Sequence, residues 1–282
     1  MKRSRLASTL LYAAVLLFVL VTLAPVAWLL ILSLSPPADL TAKPLRFIPS
    51  QIDLSHYRRL LDFGANTPGE AFLLGLRNSL GASVGATLVS MLVSIPAAWA
   101  FARYRRRAVT ATLYVVLATY MTPAVALVLP LYFMLSALHL LNSVTGLIIV
   151  YCAILTPFTA WFIKSAFDAL PDEIEQAAAM DGAGVFETLL YVSLPLARAG
   201  IATAALFALL LAWDEFFFAL LFTSNADAKT LTVTIADFAA GRATDFGLVA
   251  AAGLLTALPP VLIAFGLQKA LISGLTTGGV KG

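Results

Sequence analysis

The sequence predicts an all-α, polytopic membrane protein with six transmembrane helices. Three observations carry that expectation. Of its 282 residues 61% are hydrophobic and only 12% charged, where a soluble domain carries roughly 25% charge. Six segments, at 10–33, 79–101, 109–135, 144–164, 199–222 and 247–270, match the run of about 20 mostly apolar residues that crosses a bilayer. None of them alternates as a strand does, and an open sheet would leave backbone groups that lipid cannot satisfy.

The first span follows a basic start, MKRSR. Its apolar run outlasts the roughly 7–15 residues of a signal-peptide core and lacks a small-x-small cleavage site, so it reads as a retained helix. Lys2, Arg3 and Arg5 precede it, and Arg103, Arg105, Arg106 and Arg107 fill the short loop after span 2. Positive charge next to spans marks the cytoplasmic side, and six spans then leave both termini inside. A single membrane domain therefore covers 1–282, with an extracytoplasmic loop at about 35–78. The prolines and polar residues of that loop predict irregular chain with a short interfacial helix near 54–63. Gly81 and Gly85 in span 2 have the spacing that lets two helices approach closely. Pro25, Pro96, Pro123, Pro130, Pro157, Pro259 and Pro260 each free a carbonyl and kink a span; the kinks serve packing or a path that moves.

Several function classes drop out. The net charge of +3 sits at the ends of apolar runs and not on one amphipathic face, so no nucleic-acid partner is implied. Cys152 is the only cysteine, and His56 and His139 lack neighbours at ligand spacing, which excludes an internal disulfide and gives no metal site. There is no phosphate-binding G-x-x-x-x-G-K-[ST] and no Ser/His/Asp set, so no catalytic residues and no cofactor are assigned to this chain.

The unusual segment is the polar insert between spans 4 and 5, SAFDALPDEIEQAAAMDGAGVFETLLYVSLPLAR. On the topology above it faces the cytoplasm, over 166–198. Pro171 suits a first helical turn, Asp172, Glu173 and Glu175 suit the positive end of its dipole, and Gln176 to Met180 continue it. Gly182 or Gly184 stops it. A second short helix runs from about Val185 to Val192, Leu194-Pro195 breaks it, and span 5 follows. Ala177, Ala178 and Ala179 offer small side chains that let another body reach the backbone.

Farther on, Trp213-Asp214-Glu215 falls about 22 Å along a span 5 that starts near 199, still inside a hydrocarbon layer of about 30 Å. Carboxylates at that depth cost about 2.5–3.5 kcal/mol each. They must face the bundle interior, a wet path or a basic partner, as a substrate contact, a gate or a polar clamp between helices. The glycine-rich tail at 273–282 is a candidate cytoplasmic contact or a frayed end.

The insert resembles the signature of binding-protein-dependent ABC importer permeases, E-A-A, three residues, Gly, nine residues, I-x-L-P. Gln176-Ala177-Ala178 is followed after three residues by Gly182, and nine residues later come Val192, Ser193, Leu194 and Pro195. Gln176 stands for the pattern's Glu and Val192 for its Ile; Glu175, next in sequence, points in another direction on the helix. "WDEFFFAL" at 213–220, "RNSL" at 77–80, "PLYFMLSALHLLNS" at 130–143 and "SGLTTGGVKG" at 273–282 are similar to stretches of the carbohydrate-type members. The chain most resembles the second permease subunit of maltose-type sugar importers.

The resemblance implies a type I importer permease fold in the bacterial cell membrane. It implies a coupling helix built from Glu175, Gln176, Ala177, Ala178, Asp181, Gly182, Leu194 and Pro195. It also implies a path or gate near Trp213, Asp214 and Glu215, and a tail contact through Thr276, Gly278 and Gly279. The implied partners are a second homologous permease, two ATP-binding subunits that hold ATP and magnesium, and an extracytoplasmic solute-binding protein. A stand-alone secondary transporter or channel is the alternative expectation, but no repeat relates the two halves and it gives the insert no purpose.

Overall fold

The structure is a computed structural model and describes residues 5–42, 46–104, 106–240 and 244–277, with side chains from 8 to 266. Among the described residues the secondary structure is all helical. α1 (Arg5–Ser33), α2 (Pro37–Leu40) and α3 (Ser55–Leu60) lead to the long α4 (Pro68–Arg103). α5 (Arg107–Tyr120), α6 (Ala124–Ala137) and α7 (Val144–Asp168) precede the insert helices α8 (Asp172–Met180) and α9 (Val185–Glu187). A π-helical turn, Thr188–Ser193, runs into α10 (Leu194–Trp213); α11 (Phe217–Phe222), α12 (Leu231–Ala239) and α13 (Phe246–Thr277) complete the chain.

Five helical stretches are long and apolar enough to cross a membrane, and α5 with α6 makes a sixth if that bent pair is one span. The expected span at 109–135 is therefore not one straight helix. α5 and α6 meet at 96° across Met121-Thr122-Pro123. Pro123 cannot donate to the preceding turn, and its ring pushes Thr122 out of helical geometry. Pro25, Pro96, Pro130, Pro157, Pro259 and Pro260 lie inside helices that continue through them.

The second difference is at Leu194-Pro195. It does not break a short helix, because Val185–Trp213 is continuous. The helix widens to π geometry over Thr188–Ser193, which absorbs the backbone bond that Pro195 cannot make. Span 5 accordingly begins within the insert and ends at Trp213, short of the expected 222. The short helix expected near 54–63 is present as α3.

The chain divides into two compact units. One contains residues up to Leu73 with Thr234–Leu258. It is held by polar bonds in the α1–α4 connection: Asp39 accepts from Arg46 Nη1 at 3.1 Å and from the Ser50 amide at 2.7 Å. Buried His56 lies 3.2 Å from the Ser35 carbonyl, and Arg59 donates to Asp245.

The other unit spans Leu74–Val233 with the residues from Pro259 onward. Its core lines α7, with Leu147, Val150, Tyr151, Ile163 and Phe167 buried against α4 and α10 alanines such as Ala82, Ala98, Ala204 and Ala208. Small residues set the helix spacing, as in lipid, where packing and not water drives helix association. A Cβ on Gly85 would meet Ile148 Cδ1 at 2.6 Å, and one on Gly200 would meet Ala166 Cβ at 2.5 Å. Ser94 and Thr159 hydroxyls add an interhelical bond of 2.6 Å between α4 and α7. Asn78 Nδ2 donates to the Ala226 and Lys229 carbonyls, each at 3.0 Å, and ties the 224–230 loop to α4.

Candidate functional site

α8 begins with Pro171 as its N-cap and three acids in its first turn. It ends in a Schellman motif: the Gly182 amide donates to Ala179 at 3.1 Å and the Ala183 amide to Ala178 at 3.0 Å. That closure needs a left-handed residue, and Gly182 has φ +93°. A Cβ at Gly182 would meet nothing within 4 Å, so glycine is there for its backbone and not for lack of room. Gly184 then starts α9, its amide donating to Glu187 Oε2 at 2.7 Å. Of the two glycines expected to stop α8, Gly182 does so, and Gly184 opens the next helix.

α8 has no buried side chain. What fixes it is one carboxylate. Glu175 Oε2 accepts from Arg103 Nε at 2.8 Å. Its Oε1 accepts from the Ser193 hydroxyl at 2.6 Å and from Trp99 Nε1 at 3.2 Å. Arg103 Nη1 also pairs with Asp172 at 3.3 Å. The Arg103 and Glu175 side chains are only 12% and 11% exposed. Burial pushes the Glu175 carboxyl up, but the bonds from Arg103, Ser193 and Trp99 outweigh it and hold the group below the usual carboxylate range.

Among the sequence-predicted residues, Gln176, Ala177, Asp181, Gly182 and Pro195 are exposed, Ala178 and Leu194 are partly so, and Glu175 alone turns inward. Met180, Phe186 and Tyr191 are 84%, 75% and 77% exposed beside them. An open groove of about 330 Å³ lies between α8 and the end of α4, lined by Trp99, Arg103, Tyr104, Gln176, Ala179 and Val185 among others. The loop thus presents large apolar side chains around a stiff, capped helix end.

The second candidate region separates into three roles. Trp213 is buried, 5% exposed, at the end of α10. Asp214 is the exposed C-cap residue. Glu215 turns inward, and its carboxylate accepts from the Phe218 and Ala219 amides at 2.9 and 3.1 Å, capping α11. The same carboxylate shares a small cavity of about 90 Å³ with Tyr151, Tyr120, Ile154, Leu155, Leu211 and Ala212. The helix break between α10 and α11 is what lets an acid enter the bundle with its charge met by backbone amides. Thr276 lies in α13, while Gly278 and Gly279 fall outside the described residues.

Sequence reasoning missed Trp99, Arg103, Ser193 and Tyr151. Arg103 carried a visible signal, but as an orientation charge. Ser193 occupies the open x of the I-x-L-P pattern. Trp99 and Tyr151 are aromatic residues in apolar runs, and only the fold brings them to an acid. Among the described residues no group of three His, Cys, Asp or Glu is placed to hold a metal.

The sequence model of one protein family, the binding-protein-dependent transport system inner membrane component, matches residues 90–277. This match takes in the insert, the α10–α11 break and α13. The chain belongs to that family.

This inner membrane component has relatives along nearly its whole length. It is 34% identical over 260 residues to the sulfoquinovosyl glycerol transport system permease protein SmoH of Agrobacterium fabrum, covering 92% of this chain and 88% of the relative. It is 31% identical over 283 residues to the trehalose/maltose transport system permease protein MalG of Thermococcus litoralis, covering 100% of both. Its fold matches a chain in the crystal structure of a bacterial ABC transporter that imports the acidic polysaccharide alginate. That match has a TM-score of 0.78 at 24% identity and covers 95% of this chain and 99% of the other.

Proposed function

We propose that this inner membrane component is one half of the translocation path of an ATP-driven importer for a sugar or related carbohydrate. It works beside a second, homologous permease, with two ATP-binding subunits on the cytoplasmic side and a solute-binding protein outside. Both termini and the insert face the cytoplasm in this reading. The carbohydrate class is supported by relatives whose names specify trehalose, maltose and a sulfoquinovosyl glycoside.

The observation that carries the coupling role is the shape of the insert. α8 is closed at its C-terminal end by Gly182 and braced at Glu175, while Met180, Phe186 and Tyr191 are exposed. Exposed apolar side chains on a polar loop mark a protein contact. A braced helix transmits displacement that a flexible loop would absorb. α8 and α9 dock on an ATP-binding subunit, and the C-terminal tail with Thr276, Gly278 and Gly279 shares the contact. On the path, the Glu215 carboxylate and the Tyr151 hydroxyl line the cavity and offer polar groups to a hydroxylated solute. Co-purification from native membranes tests the reading. It expects ATP-binding subunits and a second permease in stoichiometric amounts, and a binding protein that takes a saccharide in a ligand screen. Recovery of the chain alone, moving solute on an ion gradient, would refute it.

A further inference from the structure

Glu175 and Ser193 stand at opposite ends of the insert, 18 residues apart in sequence. Neither is a fixed letter of the signature that identifies it. Yet the Glu175 carboxylate is the point where three elements meet: α8 supplies it, α4 grips it through Arg103 and Trp99, and the π turn grips it through Ser193.

We propose that Glu175 is a positioning residue, a strut through which displacement of α8 reaches α4 and α10 together. This rests on the reading that α8 docks on an ATP-binding subunit. Three features carry the strut itself. Glu175 faces inward while Gln176, Ala177 and Met180 face out, and its carboxylate is taken up by groups of this chain. No apolar side chain of α8 is fully buried, and the Arg103 pairs with Glu175 and Asp172 are its strongest attachment to the body. Finally, Ser193 is the last residue of the π turn and immediately precedes α10. A pull on its hydroxyl acts at the end of that long helix, in a segment whose wide turns already depart from α geometry. Charge-assisted bonds to two elements fix direction as well as distance. Arg103 is the last residue of α4, so the same pull acts at the end of the other long helix.

The test uses the assembled importer in nanodiscs with its binding protein. Three quantities are read: ATP-binding subunits retained, basal ATP hydrolysis, and the stimulation of hydrolysis by the binding protein. Ser193→Ala removes the arm to α10, together with the bond that Ser193 Oγ accepts from Trp99 Nε1 at 3.2 Å, and leaves the Arg103 pair intact. Glu175→Gln weakens both arms. The strut expects Ser193→Ala to keep its ATP-binding subunits and its basal hydrolysis. Stimulation falls roughly tenfold in Ser193→Ala, the scale of one lost charge-assisted bond, and at least as far in Glu175→Gln. Wild-type stimulation in both assembled variants would overturn the strut and leave docking standing. Loss of ATP-binding subunits from Ser193→Ala would also overturn it, by making the network a requirement for assembly. A wild-type complex that never retains ATP-binding subunits would overturn the docking reading and the strut with it.

Discussion

Replacing Gly182 by asparagine, alanine and valine separates two reasons for a glycine at the tip of the insert. Its φ of +93° lies in the left-handed region, and its position closes the Schellman motif of α8. A Cβ there meets nothing within 4 Å, so the cost in the free chain is backbone strain alone. Left-handed geometry costs an L-residue roughly 1–2 kcal/mol, less for asparagine. A β-branched residue is a genuine outlier there, toward the upper end of a range of about 1–3 kcal/mol. One factor of ten is about 1.4 kcal/mol, so valine populates the closed turn roughly tenfold to a hundredfold less than glycine. Because no apolar side chain of α8 is fully buried, the loss stays local and thermal unfolding of the body is unchanged. Hydrogen exchange of the Gly182 and Ala183 amides should rise in the order Gly, Asn, Ala, Val. ATP-driven uptake by the complex should fall in the same order. Valine with wild-type exchange and uptake would refute the turn argument. Asparagine as damaging to uptake as valine, with protected amides, would show instead that a partner's backbone approaches this position.

Other expectations follow from the same geometry. Asn78→Leu strips the hydrogen bonds from two carbonyls at a position 1% exposed and should cost about 2–3 kcal/mol in denaturation of the detergent-solubilised chain. Gly85→Ala should be mild, because the atom it meets is the movable tip of Ile148, whereas Gly85→Phe should abolish folding as judged by size-exclusion profile. Tyr151→Phe should reduce uptake several-fold with the binding protein's own affinity untouched, on the scale of one hydrogen bond of about 1 kcal/mol. Glu175 has a folded-state pKa below its ordinary value, so its stabilising contribution is full above about pH 4.3 and is lost only as pH falls through the lowered value. Acid release of α8, read by protease cleavage of the insert, should therefore require a pH below the ordinary glutamate range, and Glu175→Gln should remove that dependence.

How much was legible in the sequence depended on whether the signal was local. Spans 1, 2, 4 and 6 show as apolar runs because lipid demands them, and the ends of α8 show because caps are written within four residues. At Pro123 the expected kink is a 96° break, and at Pro195 the expected break is a continuous helix, for one reason. Both are prolines in apolar runs, and only tertiary packing decides whether a helix turns or widens to π geometry. Glu175 is the sharpest case. Its neighbour Gln176 occupies the signature position, but Trp99, Arg103 and Ser193 converge on Glu175 from 76, 72 and 18 residues away. Likewise, the meeting of Glu215 and Tyr151 on one cavity depends on a helix break that the apolar run of 199–222 conceals.

Disulfide trapping at the tip of the insert tests the central claim most directly. Phe186→Cys, in a chain whose Cys152 is replaced by serine, places a single thiol on the exposed face. Paired with cysteines around the cleft of the ATP-binding subunit, it should give an adduct in intact membranes whose yield changes when ATP is added. A thiol at Phe186 that reacts only with reagents applied from outside the cell, or that never reaches a nucleotide-hydrolysing partner, would contradict the account.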